Sequence, residues 1–171
     1  MITITNLAKT YGAIRAVNDL SLTIGSGEVF GLLGPNGAGK TTTIKMLTML
    51  ARPTSGSATI DGLSIAADKI AIKRRISVVP QENNFDRELT AYENLHIYSM
   101  LHGLPHSQRK IQECLELVDL WDRRDSLINK FSGGMQRRLL IARALLSEPK
   151  VLFLDNRLSV WILRSGGRCG M

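Results

Sequence analysis

Apolar residues recur at two different spacings along this chain, and the alternation between them predicts the order of strands and helices. Near the N-terminus they alternate with polar residues, at Ile2, Ile4 and Leu7 and again from Val17 to Ile24, as in half-buried strands. Further strands are predicted for the short apolar runs at residues 30–33, 57–60, 76–79 and 151–154. The last run is continuously apolar, which is typical of a buried parallel strand.

Segments with helical spacing separate these strands. Apolar residues three and four positions apart predict helices over residues 42–50 and 107–120, and a short basic helix is predicted over 69–75. Thr90 and Glu93 fit a capping box that begins another helix. The last helix begins at Ser132-Gly133-Gly134, where Ser132 can act as the N-cap. The chain therefore mixes strands and helices, with a length that suits one domain with a sizeable core.

A glycine-rich loop lies between the strand predicted at 30–33 and the helix after it. Gly34 to Thr41 fits the pattern G-x-x-x-x-G-K-[ST], in which backbone N–H groups and a helix N-terminus surround a phosphate. Lys40 would reach the terminal phosphates of a nucleotide, and the Thr41 hydroxyl would ligate Mg²⁺. The glycines do not form G-x-G-x-x-G, so a dinucleotide-binding fingerprint is disfavoured.

Other candidate residues have both a functional and a purely structural explanation. Tyr11 could stack on a base or simply pack, and Gln81 follows a strand end, where it could reach a ligand or be an ordinary loop residue. Ser132-Gly133-Gly134 could admit an anion or only cap a helix. Asp155 ends the apolar run and could hold a Mg²⁺-associated water.

Composition adds few constraints. The net charge is +7, but three arginines follow Asp155 with no acid among them, so the charge does not point to nucleic acid. Cys114 and Cys169 are too few for a disulfide framework, and the three histidines lack partners at metal spacing. No apolar run approaches the ~18 residues that span a bilayer, and no signal peptide is evident, which predicts a cytoplasmic protein.

Taken in order, these motifs resemble the nucleotide-binding subunit of ATP-binding cassette (ABC) transporters over residues 1–155. Gly34–Thr41 is similar to Walker A, Gln81 to the Q-loop, Phe131–Gln136 to the signature and Val151–Asp155 to Walker B. Tyr11 falls at the position of the family's adenine-stacking aromatic residue.

Two positions of the signature depart from the family pattern. Phe131 replaces Leu and Met135 replaces Gln, while Ser132 and both glycines are kept. The sequence around the signature and at Glu93-Asn94-Leu95 is similar to that of cassettes that export drugs, antibiotics and nodulation factors.

The resemblance implies an α/β fold: a P-loop NTPase core with a mixed sheet and flanking helices, an antiparallel N-terminal β part and a helical subdomain at about 82–135 that docks on a permease. It also implies that ATP and Mg²⁺ are the cofactors. The implied nucleotide contacts in one subunit are Tyr11, Gly34, Pro35, Asn36, Gly37, Ala38, Gly39, Lys40, Thr41, Thr42 and Gln81. A second subunit would add Ser132, Gly133 and Gly134, and the implied metal contacts are Thr41, Gln81 and Asp155.

The function implied by the resemblance is ATP-driven export of a small molecule. Two cassettes, here a homodimer, would close around two ATP molecules and drive a permease on a separate chain, at the inner face of the cell membrane. No nucleic-acid partner is expected. A DNA-repair cassette would need a long coiled-coil insertion, whose heptads are absent, and a translation cassette would usually carry two copies of the domain.

Residues 156–171 do not resemble the family. Its members continue with a Glu that acts as general base, whereas this chain has Asn156, whose amide cannot accept a proton. Suitable codons for residues 156–167, read two bases later, spell Pro-Thr-Val-Gly-Leu-Asp-Pro-Glu-Val-Arg-Arg, which is close to the family's continuation. We interpret the tail as a frameshift product; an intact coding frame with no such neighbouring reading would contradict that interpretation.

The altered tail changes the functional expectation. We expect residues 156–171 to be disordered, the sheet to end in an open apolar edge, stability to be marginal and hydrolysis to be weak or absent. The alternative to a transport ATPase subunit is therefore a fragment that binds nucleotide without hydrolysing it.

Overall fold

The computed structural model describes residues 1–80, 82–105 and 107–154, together with the backbone of 159–162. Its strands are β1 Ile2–Tyr11, β2 Ile14–Ile24, β3 Val29–Phe30, β4 Ser55–Ile60, β5 Leu63–Ser64, β6 Ile76–Val79, β7 Val151–Leu154 and β8 Ser159–Ile162. Its helices are α1 Lys40–Leu47, α2 Lys69–Lys73, α3 Ala91–Leu101, α4 Ser107–Leu117 and α5 Gly133–Leu145, with 3₁₀ turns at Trp121–Arg123 and Ile128–Lys130. The chain forms two compact units, Met1–Val78 with Pro149–Met171, and Val79–Glu148.

An antiparallel sheet forms the N-terminal β part of the first unit, as predicted. Its strand order is β2-β1-β4-β5, and Ile2 is paired with Ile24 on one side and with Ile60 on the other. All three isoleucines are buried, because alternate residues of each strand face the same core. The α/β fold with a mixed set of strands and helices is thereby confirmed.

A second sheet of the first unit has the order β3-β8-β7-β6. β8 is antiparallel to β7 and to β3, so that Phe30 and Phe153 both lie opposite Val160. The predicted burial of β7 is confirmed, since Val151, Leu152 and Phe153 are all buried. β7 was also predicted to be a parallel strand. That prediction is wrong for its pairing with β8, which is antiparallel.

Two further expectations need correction. The strand predicted at residues 30–33 is only Val29–Phe30, and Leu33 is 75% exposed, because the pairing with β8 extends over just those two residues.

The tail was expected to be disordered, yet β8 forms within it. The unpaired backbone groups of β3 and β7 provide the physical reason, because a sheet edge readily accepts another strand. Residues 155–158 and 163–171 lie outside the described part.

The helix after the glycine loop ends earlier than predicted. It was expected over residues 42–50, but α1 ends at Leu47. Met49 has a positive φ of 60°, and the N–H of Leu50 donates to the Lys45 carbonyl at 2.8 Å. This is the hydrogen-bond pattern of a Schellman motif, which stops a helix.

The second unit consists of α3, α4, α5 and the turns between them. The predicted capping box at Thr90 is confirmed, since its hydroxyl accepts from the Glu93 N–H and the Glu93 carboxylate accepts from the Thr90 N–H. The backbone N–H of Thr90 also holds the pKa of Glu93 below its usual value. Leu95, Ile111 and Leu139 are fully buried at the centre of this unit. The unit extends to Glu148, whereas the helical subdomain was predicted to end at about residue 135.

An ion-paired turn joins parts of the first unit. Asp61 and Gly62 form the predicted two-residue turn between β4 and β5, and both have positive φ, as a type I′ turn requires. The Asp61 carboxylate accepts from Lys150 Nζ at 2.8 Å and from Arg75 Nη1. The hydrogen bond from Lys150 is the main reason that the pKa of Asp61 is lowered.

Candidate functional site

The glycine loop has a backbone that only glycine adopts readily. φ is +155° at Gly34, +87° at Gly37 and +79° at Gly39, which is the N-cap of α1. No side chain caps α1, and its first turn contains no acidic residue, whereas hydroxyl side chains cap α3 and α5. No carboxylate of the same turn therefore accepts from the first N–H groups of α1 or neutralises the positive end of its dipole. This arrangement suits an anion.

Gly39 is also constrained by the strand beneath it. A Cβ atom at this position would lie 2.3 Å from the carbonyl oxygen of Ala16 and 3.0 Å from Cγ2 of Val17. Because the nearer atom belongs to the backbone, it cannot move aside as a flexible side chain could. This close approach joins the end of the glycine loop to β2.

Lys40 and Thr41 follow at the start of α1. The Lys40 ammonium donates to the carbonyl oxygens of Gly34 at 2.6 Å and Pro35 at 2.7 Å. An ammonium has three donors, so one N–H is left for a further acceptor. Thr41 is exposed, while Thr43 is buried and its hydroxyl donates to the Gly39 carbonyl at 3.0 Å.

These residues fit a nucleotide polyphosphate and its Mg²⁺. The loop offers backbone N–H groups, Lys40 offers a cation and Thr41 offers an exposed hydroxyl oxygen, which is a donor set suited to phosphate and to a hard metal ion. Pro35, Asn36, Gly37 and Ala38 are exposed, and Thr42 is partly so. The predicted phosphate-binding residues are thus brought together around one loop.

Tyr11 ends β1 in the same unit, with 47% of its surface exposed. Lys9 Nζ lies 4.8 Å from the ring centroid, a cation–π distance. The Tyr11 ring is therefore exposed and in contact with a cation, and its stacking on a base stays a prediction.

The signature residues begin α5 in the second unit. The Ser132 hydroxyl accepts from the Met135 N–H at 3.2 Å, so the predicted cap is present. Gly133 and Gly134 are exposed, and a Cβ atom at Gly133 would meet nothing within 4 Å. Glycine costs about 1 kcal/mol relative to alanine in a helix. None of the described residues excludes a side chain at Gly133.

Gln81, Asp155 and Asn156 lie outside the described residues. The strands before them are described: β6 ends at Val79 and β7 ends at Leu154. β3, which leads to the glycine loop, is separated from β7 by β8, and two strand spacings amount to about 10 Å.

A polar network on α5 was missed from the sequence. Arg137 Nη1 donates to the Pro80 carbonyl at 2.5 Å, and Arg143 Nη2 donates to Asn84 Oδ1 at 2.6 Å. The sequence offered no signal for it, because basic residues on a helix usually face water.

Clusters of metal-binding side chains and membrane-spanning helices are both absent from the described residues. Across the ranges that the structure describes, no group of three His, Cys, Asp or Glu side chains is arranged to hold a metal ion. In those same ranges, no helix is both long and apolar enough to cross a membrane.

Comparison with known proteins agrees with the geometry. Residues 17–159 match the model of the ABC transporter family. The chain is 42% identical over 153 residues to the Nod factor export ATP-binding protein I of Burkholderia orbicola, covering 88% of this chain and 50% of the relative. It is 45% identical over 152 residues to the bacitracin transport ATP-binding protein BcrA of Bacillus licheniformis, covering 89% and 49%. The linearmycin resistance ATP-binding protein LnrL of Bacillus subtilis is 42% identical, with 88% and 49% covered.

Solved structures give the same result. An ATP-binding subunit of an ABC transporter superposes with a TM-score of 0.71 at 29% identity, covering 90% of this chain and 65% of that one. The cbiO1 protein of Clostridium perfringens, part of the cbiONQ complex, superposes at 0.82 with 24% identity, covering 90% and 64%, and shows the fold alone. The chain spans about half the length of the relatives that it matches. It belongs to the ABC transporter family.

Proposed function

We propose that this chain binds Mg²⁺ and ATP at Gly34–Thr41 and serves as the ATP-binding subunit of an exporter whose permease is a separate chain. The observation that carries the proposal is the loop geometry: three glycines with positive φ lead into an uncapped helix at which Lys40 keeps a free donor. A helix N-terminus in this arrangement favours phosphate.

The printed names of relatives support the transport context. The Burkholderia orbicola relative is named for Nod factor export, and the relatives from Bacillus are named for linearmycin resistance and bacitracin transport. The cbiO1 protein is described as part of a transporter complex. By extension, this chain would act at the inner face of a membrane and move a small molecule outward.

In the proposed mechanism each residue has a separate task. Lys40 is attracted to the terminal phosphates, the Thr41 hydroxyl holds the metal, and Tyr11 stacks on the base. Bound Mg²⁺ would neutralise charge on the phosphate oxygens. Gln81 and Asp155 would complete the metal site from the ends of β6 and β7.

The signature would bind the ATP of a second copy. Gly133 and Gly134 are exposed, and among the described residues no neighbour excludes a side chain at Gly133, which supports close approach by a phosphate from outside. A closed dimer that binds ATP better than the open form would shift the permease between two states.

Hydrolysis by this chain would be weak or absent. Asn156 stands where the family has its general base, and an amide does not take a proton from water. A binding module that closes on ATP without turnover is therefore the second candidate function.

Equilibrium binding of ATP, with and without Mg²⁺, tests the proposal on the full chain. Lys40→Ala should weaken binding at least tenfold, whereas Lys45→Ala, an exposed lysine in the last turn of α1, should leave it unchanged. Equal loss in both variants, or no saturable binding by the wild type, would overturn the proposal. Turnover of ATP on the same sample separates the two candidates: a rate above about 1 per second would exclude the binding module.

A further inference from the structure

We infer that β8 positions the glycine loop for its ligand, because β3, the strand that leads into that loop, joins its sheet through β8. The inference rests on the proposed function, since it concerns how the loop binds phosphate. β3, β7 and β8 all belong to the same compact unit. Only the first residue of β8, Ser159, falls within the range that matches the ABC transporter family, so the role falls on a part of the chain almost wholly beyond that match.

β3 is a short strand at the edge of its sheet. Val29 is paired with Trp161 and Phe30 with Val160, and no other strand among the described residues lies beside β3. Val29 is 65% exposed, and Phe30 is only partly buried against the core. Side-chain packing therefore gives β3 little support, and its backbone pairing with β8 fixes the direction in which the chain enters the glycine loop.

The other end of the glycine loop has support that does not involve the tail. Gly39 lies against β2, where a Cβ atom would come within 2.3 Å of the Ala16 carbonyl oxygen. α1 follows directly, and Met46 and Leu47 near its end are buried in the core. The loop is thus held at its C-terminal end by β2 and α1, whereas its N-terminal end depends on β8.

β8 can hold β3 because it is itself anchored to a buried strand. All four of its residues are paired with β7, in which Phe153 is fully buried. Only the two central residues, Val160 and Trp161, are also paired with β3. The outer residues Ser159 and Ile162 are paired with β7 alone, so the same strand offers a test position and a matched control position.

A loop that is fixed at both ends should bind phosphate better than a loop that is loose at one end. Its N–H groups already converge, so less conformational entropy is lost when the anion binds. The glycines at 34, 37 and 39, all with positive φ, make this loop dependent on its ends, because glycine restricts its own backbone least. Loosening β3 should therefore lower the affinity for ATP while every group that contacts the nucleotide is kept.

The test compares the ATP affinity of two full-length proline variants, measured with Mg²⁺ on samples whose circular dichroism shows that they are folded. Val160→Pro breaks β8 where it pairs with β3 and should weaken ATP binding at least about tenfold. Ile162→Pro, the matched control, alters only the pairing with Val151 of β7 and should leave the affinity within about twofold of the wild type. If a proline variant does not fold, Val160→Gly and Ile162→Gly repeat the comparison with a smaller loss, because glycine weakens a strand but keeps its N–H.

Hydrogen exchange of residues 29–33 without nucleotide provides a readout that does not depend on ATP. It should accelerate in Val160→Pro more than in Ile162→Pro. Ile60→Ala controls for a general loss of stability, because it opens a cavity at a fully buried position of β4 in the same unit. It should lower thermal stability and leave the ATP affinity unchanged.

The inference is overturned if Val160→Pro binds ATP as tightly as the wild type, or if Ile162→Pro and Ile60→Ala lose as much affinity as Val160→Pro does. Either result would show that β8 contributes to stability alone. A wild-type chain without saturable ATP binding defeats the proposed function, and the positioning role with it. Saturable binding that Lys40→Ala abolishes but Val160→Pro leaves unchanged defeats the inference alone.

Discussion

Gly39 lies so close to Ala16 that a Cβ atom would come within 2.3 Å of the Ala16 carbonyl oxygen. The contact joins the end of the glycine loop to β2, a strand of the antiparallel sheet. The glycine loop is therefore in contact with the N-terminal β part of the fold. A pattern of glycines identifies the loop, and this contact adds a second reason, besides the positive φ, for glycine at its last position.

Gly39→Ala should destabilise the chain more than Gly37→Ala does. Both positions have positive φ, so each substitution pays about 1 kcal/mol of left-handed strain. At Gly37 a Cβ atom meets nothing within 4 Å, whereas at Gly39 it meets backbone. We expect an additional loss of about 2 kcal/mol for Gly39→Ala, measured by urea unfolding. Equal losses would show that β2 moves away at little cost.

Asp61→Asn should lower stability by about 1 kcal/mol at neutral pH, because Lys150 and Arg75 lose their anion while remaining partly exposed to water. Asparagine accepts the positive φ of this turn, so the charge alone changes.

The difference should depend on pH in one direction. The pKa of Asp61 is lowered in the folded state, so its stabilisation is present above the ordinary aspartate value of about 3.9 and is lost as pH falls through the depressed folded value. Unfolding free energies of the two proteins should therefore converge in acid. A difference that persists there would assign the effect to the turn and not to the ion pairs.

Val160→Pro tests whether the tail contributes a central strand. Val160 is paired with Phe30 on one side and with Phe153 on the other. Proline donates no hydrogen bond and is excluded from central strands, so we expect a loss of about 3 kcal/mol in unfolding free energy. Val160→Thr, which keeps the backbone N–H and a β-branched side chain, is the matched control. Wild-type stability in Val160→Pro would mean that β8 does not hold β3 and β7 together.

Ser132→Ala should destabilise α5 by about 1 kcal/mol, because the Met135 N–H loses its acceptor. Ser132→Asp keeps an acceptor and adds a charge that suits the helix N-terminus, so it should retain wild-type stability. Urea unfolding distinguishes the two. If the alanine variant is as stable as the aspartate variant, the cap does not stabilise the helix and Ser132 serves another purpose.

Local patterns identified most elements because each has a local cause. Hydrogen bonds between residues only a few positions apart form the capping box at Thr90, the Asp61–Gly62 turn and the cap at Ser132. The glycine loop was recognised for the same reason. The predicted end of α1 was wrong, because the left-handed residue that ends the helix is Met49 and not the glycine or asparagine that usually marks such a position.

The sequence by itself determined the family of this protein, through motifs that resemble it, and also its glycine loop and most of the strands and helices before residue 155. The loop and these elements depend on spacing within short segments. The tertiary structure alone decided that β8 lies between β3 and β7, that β2 supports Gly39 and that Arg137 holds the Pro80 carbonyl. Each of these contacts joins residues far apart in the chain. Their partners are selected by backbone groups that need pairing and by space in the folded core, neither of which leaves a periodic trace in the sequence.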